Sequence, residues 1–309
     1  MHHLLLFQNP TMQQLVDETE AIAASDASIL IFGETGVGKN VLAEHIHRRS
    51  GRQNGSFLHL DCAVLSRNLL ESELFGHEKG AFTGATEKKA GYLDMVCGGT
   101  LFLDEIENLD QDLQTKLLSV IDTKQFLRVG GREIVTTDFR LISASNVDIP
   151  RQIQSGKIRE DFYYRIKGRV LTIPPLRERR EDIQLFAEFF LQDFGKRYKR
   201  TLGISREALT CLKDYHWPGN IRELRMVLES VVATMHSQRI NIEHLPLEVQ
   251  QGALLTTAER EEWKAETLLN AYAKRVLKVT GNNKTQAAKL LGWSPNTLKR
   301  HLQKIEREE

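Results

Sequence analysis

The run Ile29-Leu30-Ile31-Phe32-Gly33-Glu34-Thr35-Gly36-Val37-Gly38-Lys39-Asn40 joins four apolar residues to a glycine-rich loop and then to a helical pattern. Strand, loop and helix in that order is the setting a P-loop requires. Glycines let backbone N–H groups converge on phosphate oxygens, the helix N-terminus adds a favourable dipole, and Lys39 supplies a point charge. Asn40 departs from the usual last position, where a hydroxyl faces Mg²⁺. It is a weaker metal contact, so a metal must lean on other groups.

Outward from this loop, apolar runs at Ile29–Phe32, Phe57–Leu60, Leu101–Leu103 and Arg140–Ser143 alternate with helical periods at Val41–Arg49, Asn68–Leu74 and Leu113–Ile121. Repeated β-α units predict an α/β fold with a mostly parallel sheet. After Pro174-Pro175 only helical spacing remains, over Glu181–Tyr198, Arg206–Tyr215 and Ile221–His236. The expected organisation is an α/β nucleotide-binding region over 1–173, a helical region over 174–240, a connection over 241–264 and a C-terminal all-α module over 265–309. The connection is placed where Pro246, Gly252 and polar residues break the period.

Composition narrows the class. With 309 residues, two or more domains fit, and a 41% apolar fraction plus 21 glycines excludes wholesale disorder. A formal net charge of +1 means that any nucleic-acid surface must be local. Three cysteines form neither an even disulfide set nor a paired zinc motif, which points to a reducing compartment, the cytoplasm. The early apolar stretch Leu4–Phe7 is too short for a leader or a membrane span, so no membrane partner is expected.

Thr100-Leu101-Phe102-Leu103-Asp104-Glu105 is an apolar strand ending in two acids at the sheet edge where α/β proteins bind ligands. Beside a P-loop, Asp104 suits magnesium and Glu105 suits polarising an attacking water. Trp217-Pro218-Gly219-Asn220 reads as a turn into a helix, with Asn220 as N-cap and Glu223 completing a capping box. Arg222, a cation in that first turn, opposes the helix dipole. It is either aimed at a phosphate or paired with a nearby acid.

Gly80-Ala81-Phe82-Thr83-Gly84-Ala85 resembles the GAFTGA loop of bacterial enhancer-binding proteins, the AAA+ ATPases that activate sigma-54 RNA polymerase. The resemblance extends to Glu71–Glu78, Gly98–Glu105, Pro174–Arg179 and Trp217–Leu224, in the family's order. It implies ATP and Mg²⁺ as ligands, a ring hexamer, and contact between residues 80–85 and the sigma-54 holoenzyme. It also implies that Arg159 and Arg165 reach a neighbour's ATP site, the other reading being local ion pairs with Glu160 or Asp161. Asn146 and Arg222 match the two sensor positions, and the Gly130-Gly131 turn resembles a second pore loop. Asp61 stands where relatives commonly have an asparagine that holds the catalytic glutamate. Two carboxylates, Asp61 and Glu105, then face each other and favour sharing a proton.

At the C-terminus, residues 271–309 carry nine Lys and Arg against three Glu. Helix Ala265–Val279 precedes two shorter ones, the second capped by Asn283 with Gln286 and the third by Ser294 with Pro295 at its first position. This helix-turn-helix leaves Asn296, Thr297, Lys299, Arg300 and Lys304 outward for double-stranded DNA, with Leu298, Leu302 and Ile305 inward. It resembles the Fis-type module of the same family, where it binds an upstream enhancer site. Some 27 residues precede the first strand, too few for a receiver domain, so regulation is expected in trans, by a partner protein or by expression level, the other explanation being a sequence cut short before residue 1. Two other readings stay open: a DNA-binding repressor whose nucleotide site is a passive switch, and an AAA+ remodeller of another target.

Overall fold

Four apolar residues in succession leave a strand no polar face, and Ile29, Leu30 and Ile31 are buried accordingly in the middle of a sheet. The computed structural model describes residues 5–308, with side chains described for all of these except 278, 279 and 303–308. The chain separates into two units, Met1–Pro175 and Leu176–Glu309.

In the first unit, β1 (Ile29–Phe32), β2 (Phe57–Asp61), β3 (Thr100–Asp104), β6 (Arg140–Ser145) and β7 (Arg169–Thr172) form a five-stranded sheet in the order β2-β3-β6-β1-β7. Every pairing is parallel. Side chains alternate across it. Leu30, Leu101, Leu103 and Leu141 enter one core with α3 (Arg67–Phe75), α5 (Gln111–Thr123) and α7 (Glu160–Lys167). Ile29, Ile31, Phe102 and Ile142 enter the other with α1 (Pro10–Ala23) and α2 (Lys39–Arg48). The remaining elements of this unit are α4 (Tyr92–Met95), a 3-10 turn (Ile106–Asn108), α6 (Ile149–Gln154) and an antiparallel hairpin of β4 (Gln125–Leu127) and β5 (Ile134–Thr136).

Polar residues fix the ends of these elements. Asn9 Oδ1 accepts from Thr11 N (3.0 Å) ahead of Pro10, and Asp110 Oδ1 accepts from Leu113 N (2.9 Å), so both helices start on a side-chain cap. The buried Arg140 donates to Ala23 O (2.7 Å) and Ile22 O (3.0 Å), satisfying the last carbonyls of α1 from the first residue of β6.

The second unit is helical: α8 (Arg180–Tyr198), α9 (Arg206–Asp214), α10 (Asn220–Thr234), α11 (Leu247–Arg260), α12 (Ala265–Val279), α13 (Lys284–Leu290) and α14 (Pro295–Glu308). Phe186, Phe190 and Phe194 stack along α8 with ring centroids 6.2 and 6.3 Å apart. Two-residue strands β8 (Gly203–Ile204) and β9 (Arg239–Ile240) pair in this unit, so strand structure does not stop at Pro175 as expected; runs this short carry no periodic signal.

Two expectations need correction here. The stretch 241–264 is not an irregular connection but contains α11. Pro246 sits just before that helix, and Gly252 lies where a Cβ would meet the Tyr215 ring at 2.5 Å, so both residues mark close packing rather than a loop. Asn220 is not the N-cap of α10. It is a buried left-handed residue (φ 53°) whose Oδ1 accepts from Leu176 N (2.7 Å), and Glu223 Oε2 accepts instead from Gly219 N (2.8 Å). Among the described residues no helix is long and apolar enough to cross a membrane.

Candidate active site

The strand order places three sequence-predicted elements at one edge. β6 lies between β1 and β3, so residues following β1, β6 and β3 emerge side by side. Phe32 is in register with Ser145, Leu103 with Ser143, and Asp61 with Asp104. The loop Gly33–Asn40, Asn146 and the pair Asp104-Glu105 therefore share the carboxyl edge of the sheet, where open α/β sheets take ligands.

Gly36 (φ 80°) and Gly38 (φ 107°) take left-handed backbone in the loop, a region side chains disfavour. Lys39 is buried, and its Nζ donates to Gly33 O (3.0 Å) and Glu34 O (3.4 Å), curling the loop around the ammonium. Gly33 N donates to Ser145 O (3.2 Å), and Asn146 Nδ2 donates to Thr35 Oγ1 (3.0 Å), so the β6 end grips the loop. Val37 is buried beneath it, and Asn40 is exposed in the first turn of α2. A glycine loop curled around a buried lysine at the start of a helix fits a polyphosphate.

Asp104 Oδ1 accepts from Glu105 N (3.0 Å), and Glu105 itself is left-handed (φ 55°), an uncommon conformation for a non-glycine residue that is characteristic of functional sites. Burial, then the charges of Asp61, Asp104 and Glu107, push the Glu105 carboxyl above its ordinary value, with Lys39 opposing. Asp61 Oδ1 accepts from Ala63 N (2.9 Å), and no hydrogen bond joins Asp61 to Glu105 among the described residues. The two acids interact through their charges. Among the described residues no three His, Cys, Asp or Glu side chains form a metal cage. Asp104 fits the other arrangement, in which one carboxylate, water and phosphate oxygens hold magnesium.

Reading the strand end only as far as Glu105 missed two neighbours. Glu107 is buried, with Oε1 accepting from Asn146 N (3.5 Å), and Asn108 Nδ2 donates to Glu105 O (3.2 Å) and Oε2 (3.4 Å). Gln114 was also missed. Buried in α5, it donates to Leu109 O (2.8 Å) and Lys157 O (2.9 Å) and accepts from Arg159 N (2.8 Å). A polar residue on the apolar stripe of α5 was the available signal.

Arg159 and Arg165 lie apart from this edge cluster's hydrogen bonds. Arg159 pairs with Asp161 (2.6 Å) and Arg165 with Asp122 (2.6 Å), both half-exposed. In the second unit Arg222 is exposed in the first turn of α10.

Residues 80–85 form a tight projecting loop. Gly80 N donates to Ala85 O (2.8 Å) and Ala85 N to Phe82 O (3.0 Å). Gly80 and Gly84 are left-handed with open space around them. Phe82 is 43% exposed and turns its ring onto His77 (5.0 Å, edge-on). The hairpin loop lies against it: Glu78 N donates to Val129 O (3.0 Å), and a Cβ on Gly130 would sit 2.8 Å from Ala81 Cβ.

In α13 and α14, Asn283 Oδ1 caps Gln286 N (3.1 Å) and Ser294 Oγ caps Thr297 N (3.1 Å). Ala287, Ala288 and Leu298 are buried with Ala273 and Val276 of α12. Asn296, Lys299 and Arg300 are exposed. Thr297 is half-buried at the start of the helix, and its hydroxyl pairs with Ser294 Oγ (2.8 Å) in the cap. Lys304 and Ile305 lie outside the described side chains. His301 stacks on Trp293 (4.6 Å) and bonds Asn270 (2.8 Å), a contact between non-adjacent helices that no spacing rule reveals.

Comparison with known proteins gives a consistent picture. The sigma-54 interaction domain model matches residues 5–172, an AAA+ ATPase lid domain model residues 177–262, and a bacterial regulatory protein, Fis family, model residues 274–304. The chain is 40% identical over 297 residues to the transcriptional regulatory protein ZraR of Escherichia coli K12, covering 94% of this chain and 66% of that protein. It is 38% identical to the sigma54-dependent transcriptional activator SfnR of Pseudomonas putida, covering 96% and 87%. The crystal structure of NtrX from Brucella abortus in complex with ADP is similar with a TM-score of 0.75 at 30% identity, covering 99% of this chain and 69% of that one. The chain thus spans about two thirds of the length of several of these relatives. With that fold, that loop and those three matched segments, the chain belongs to the sigma-54 interaction domain family, an AAA+ P-loop ATPase domain joined to an AAA+ lid and a Fis-type helix-turn-helix.

Proposed function

We propose that this protein is an ATPase that activates sigma-54 RNA polymerase from an upstream DNA site, working in the cytoplasm as a ring hexamer. The observation that carries the reading is the coexistence in one unit of a curled P-loop, a left-handed Glu105 at the strand edge and an exposed Phe82 on a glycine-flanked loop.

The reaction is attack of water on the γ-phosphate of ATP. Lys39 and the backbone of Gly33–Asn40 hold the phosphates, and Glu105 takes the proton of the attacking water. Asp104, with Asn40 in the first turn of α2 as a second candidate, would hold Mg²⁺, which would supply charge neutralisation on the phosphates. Arg159 and Arg165 of one subunit offset transition-state charge in its neighbour's pocket, while Asn146 and Arg222 report the phosphate state. Asn146 already bridges to Thr35, so a γ-phosphate competes with that bond and alters the grip on the loop. The loop 80–85 delivers the change to sigma-54, and Asn296, Thr297, Lys299 and Arg300 face DNA.

The purified chain, mixed with sigma-54 holoenzyme and promoter DNA carrying its upstream site, is expected to melt the promoter with ATP and not with a non-hydrolysable analogue. Melting with the analogue, or none with ATP, contradicts the reading.

The acid cluster sets the pH response. Glu105 acts only when ionised, and its carboxyl is raised by burial and by neighbouring charges, Asp61 foremost among them. Turnover is therefore lost as pH falls through a value above the ordinary glutamate range. Asp61→Asn removes that foremost neighbouring charge, so the acid limb of the kcat profile moves to lower pH. Superimposable profiles for Asp61→Asn and parent would contradict this coupling.

A further inference from the structure

We propose that Asn108 is the residue that orients the Glu105 carboxylate, supplying from within the same turn the amide that position 61 lacks. This assignment rests on Glu105 being the base of the proposed ATPase.

The geometry is local and specific. Glu105 opens a 3-10 turn, Ile106–Asn108, from a left-handed backbone. Asn108 N donates to Glu105 O (3.0 Å), which closes the turn. Asn108 Nδ2 then reaches back to the same residue twice, to O at 3.2 Å and to Oε2 at 3.4 Å. One amide group therefore spans the carbonyl and the carboxylate of a single glutamate, which restricts its side-chain rotation. Hydrogen bonds of this length are normal for catalytic groups before substrate excludes water, and they tighten on closure.

The other neighbours cannot do this. Asp61, Asp104 and Glu107 present only acceptors to an ionised Glu105. They repel it, and their charges act together with burial to push its carboxyl up. Asp61 has Oδ1 committed to Ala63 N (2.9 Å), and Asp104 has Oδ1 committed to Glu105 N (3.0 Å). Lys39 is turned to the loop carbonyls Gly33 O and Glu34 O. Among the described residues Asn108 is the side-chain donor on the Glu105 carboxylate. Next to it Glu107 ties the same turn to Asn146 N (3.5 Å), so the donor stands on a turn anchored to the sensing strand.

Asn108 is exposed, so its replacement leaves the buried core untouched. Asn108→Ala is expected to lower kcat about 10- to 100-fold, the loss of one hydrogen bond to a charged group. KM and the affinity for a fluorescent ADP analogue should be unchanged, because the interaction serves the reaction and not the ground state. Asp61→Asn introduced into Asn108→Ala should recover most of the lost kcat, since it restores an amide beside Glu105. A residue that only caps its turn would not be rescued from a different strand. Parental kcat in Asn108→Ala, or no recovery in the double variant, overturns the assignment. A parent chain without ATP turnover contradicts the proposed function itself and removes this assignment with it.

Discussion

Phe82→Ala is expected to abolish promoter melting while ATP turnover stays near the parental rate. Phe82 is 43% exposed on a loop whose flanking glycines, Gly80 and Gly84, have open space around them. Its ring packs edge-on against His77 (5.0 Å). Truncating a central aromatic anchor at a protein interface costs about 2 kcal/mol or more, at least a thirtyfold loss of engagement. The two activities should therefore separate. Permanganate footprinting of the promoter beside a phosphate-release assay reads both. Parallel loss of hydrolysis would mean that the loop supports the pocket, and retained melting would mean that the tip is not the contact.

Arg159→Ala is expected to lower ATP turnover by about 10³-fold or more, in the range that arginine fingers supply in other phosphoryl-transfer enzymes. In the single chain Arg159 is held by Asp161 (2.6 Å), with 39% of its side chain exposed. This is the local pairing that the sequence left as the alternative. Exposed pairs of this kind contribute little to stability. Under the proposed function Asp161 is a resting partner that a neighbour's phosphate replaces, and thermal stability of Arg159→Ala should match the parent. Arg165, paired with Asp122, is released as easily.

Much of this was legible because it is local. The strand Ile29–Phe32, the helix Ala265–Val279 and the caps Asn283 and Ser294 follow from apolar runs and from donors three residues ahead, and they stand where expected. What escaped depends on tertiary contact. Gly252 reads as a helix breaker but lies within α11 because Tyr215 occupies the space a side chain would need. Asn220 reads as a cap but is buried to satisfy Leu176 N, forty-four residues earlier in the chain. Glu107 and Asn108 look like loop polarity until the turn after β3 brings them onto Asn146 and Glu105. Asp61 was flagged by its departure from the family, yet only the strand register shows it at the end of β2 beside Asp104.

The most direct measurement is complementation of Glu105→Gln by Arg159→Ala. Each variant alone should be nearly inactive as an ATPase, the first for want of the base and the second for want of the neighbour's cation. An equimolar mixture should regain turnover, because some pockets then combine an intact Glu105 from one chain with an intact Arg159 from the next. A mixture no more active than the sum of its parts would contradict a pocket shared between subunits.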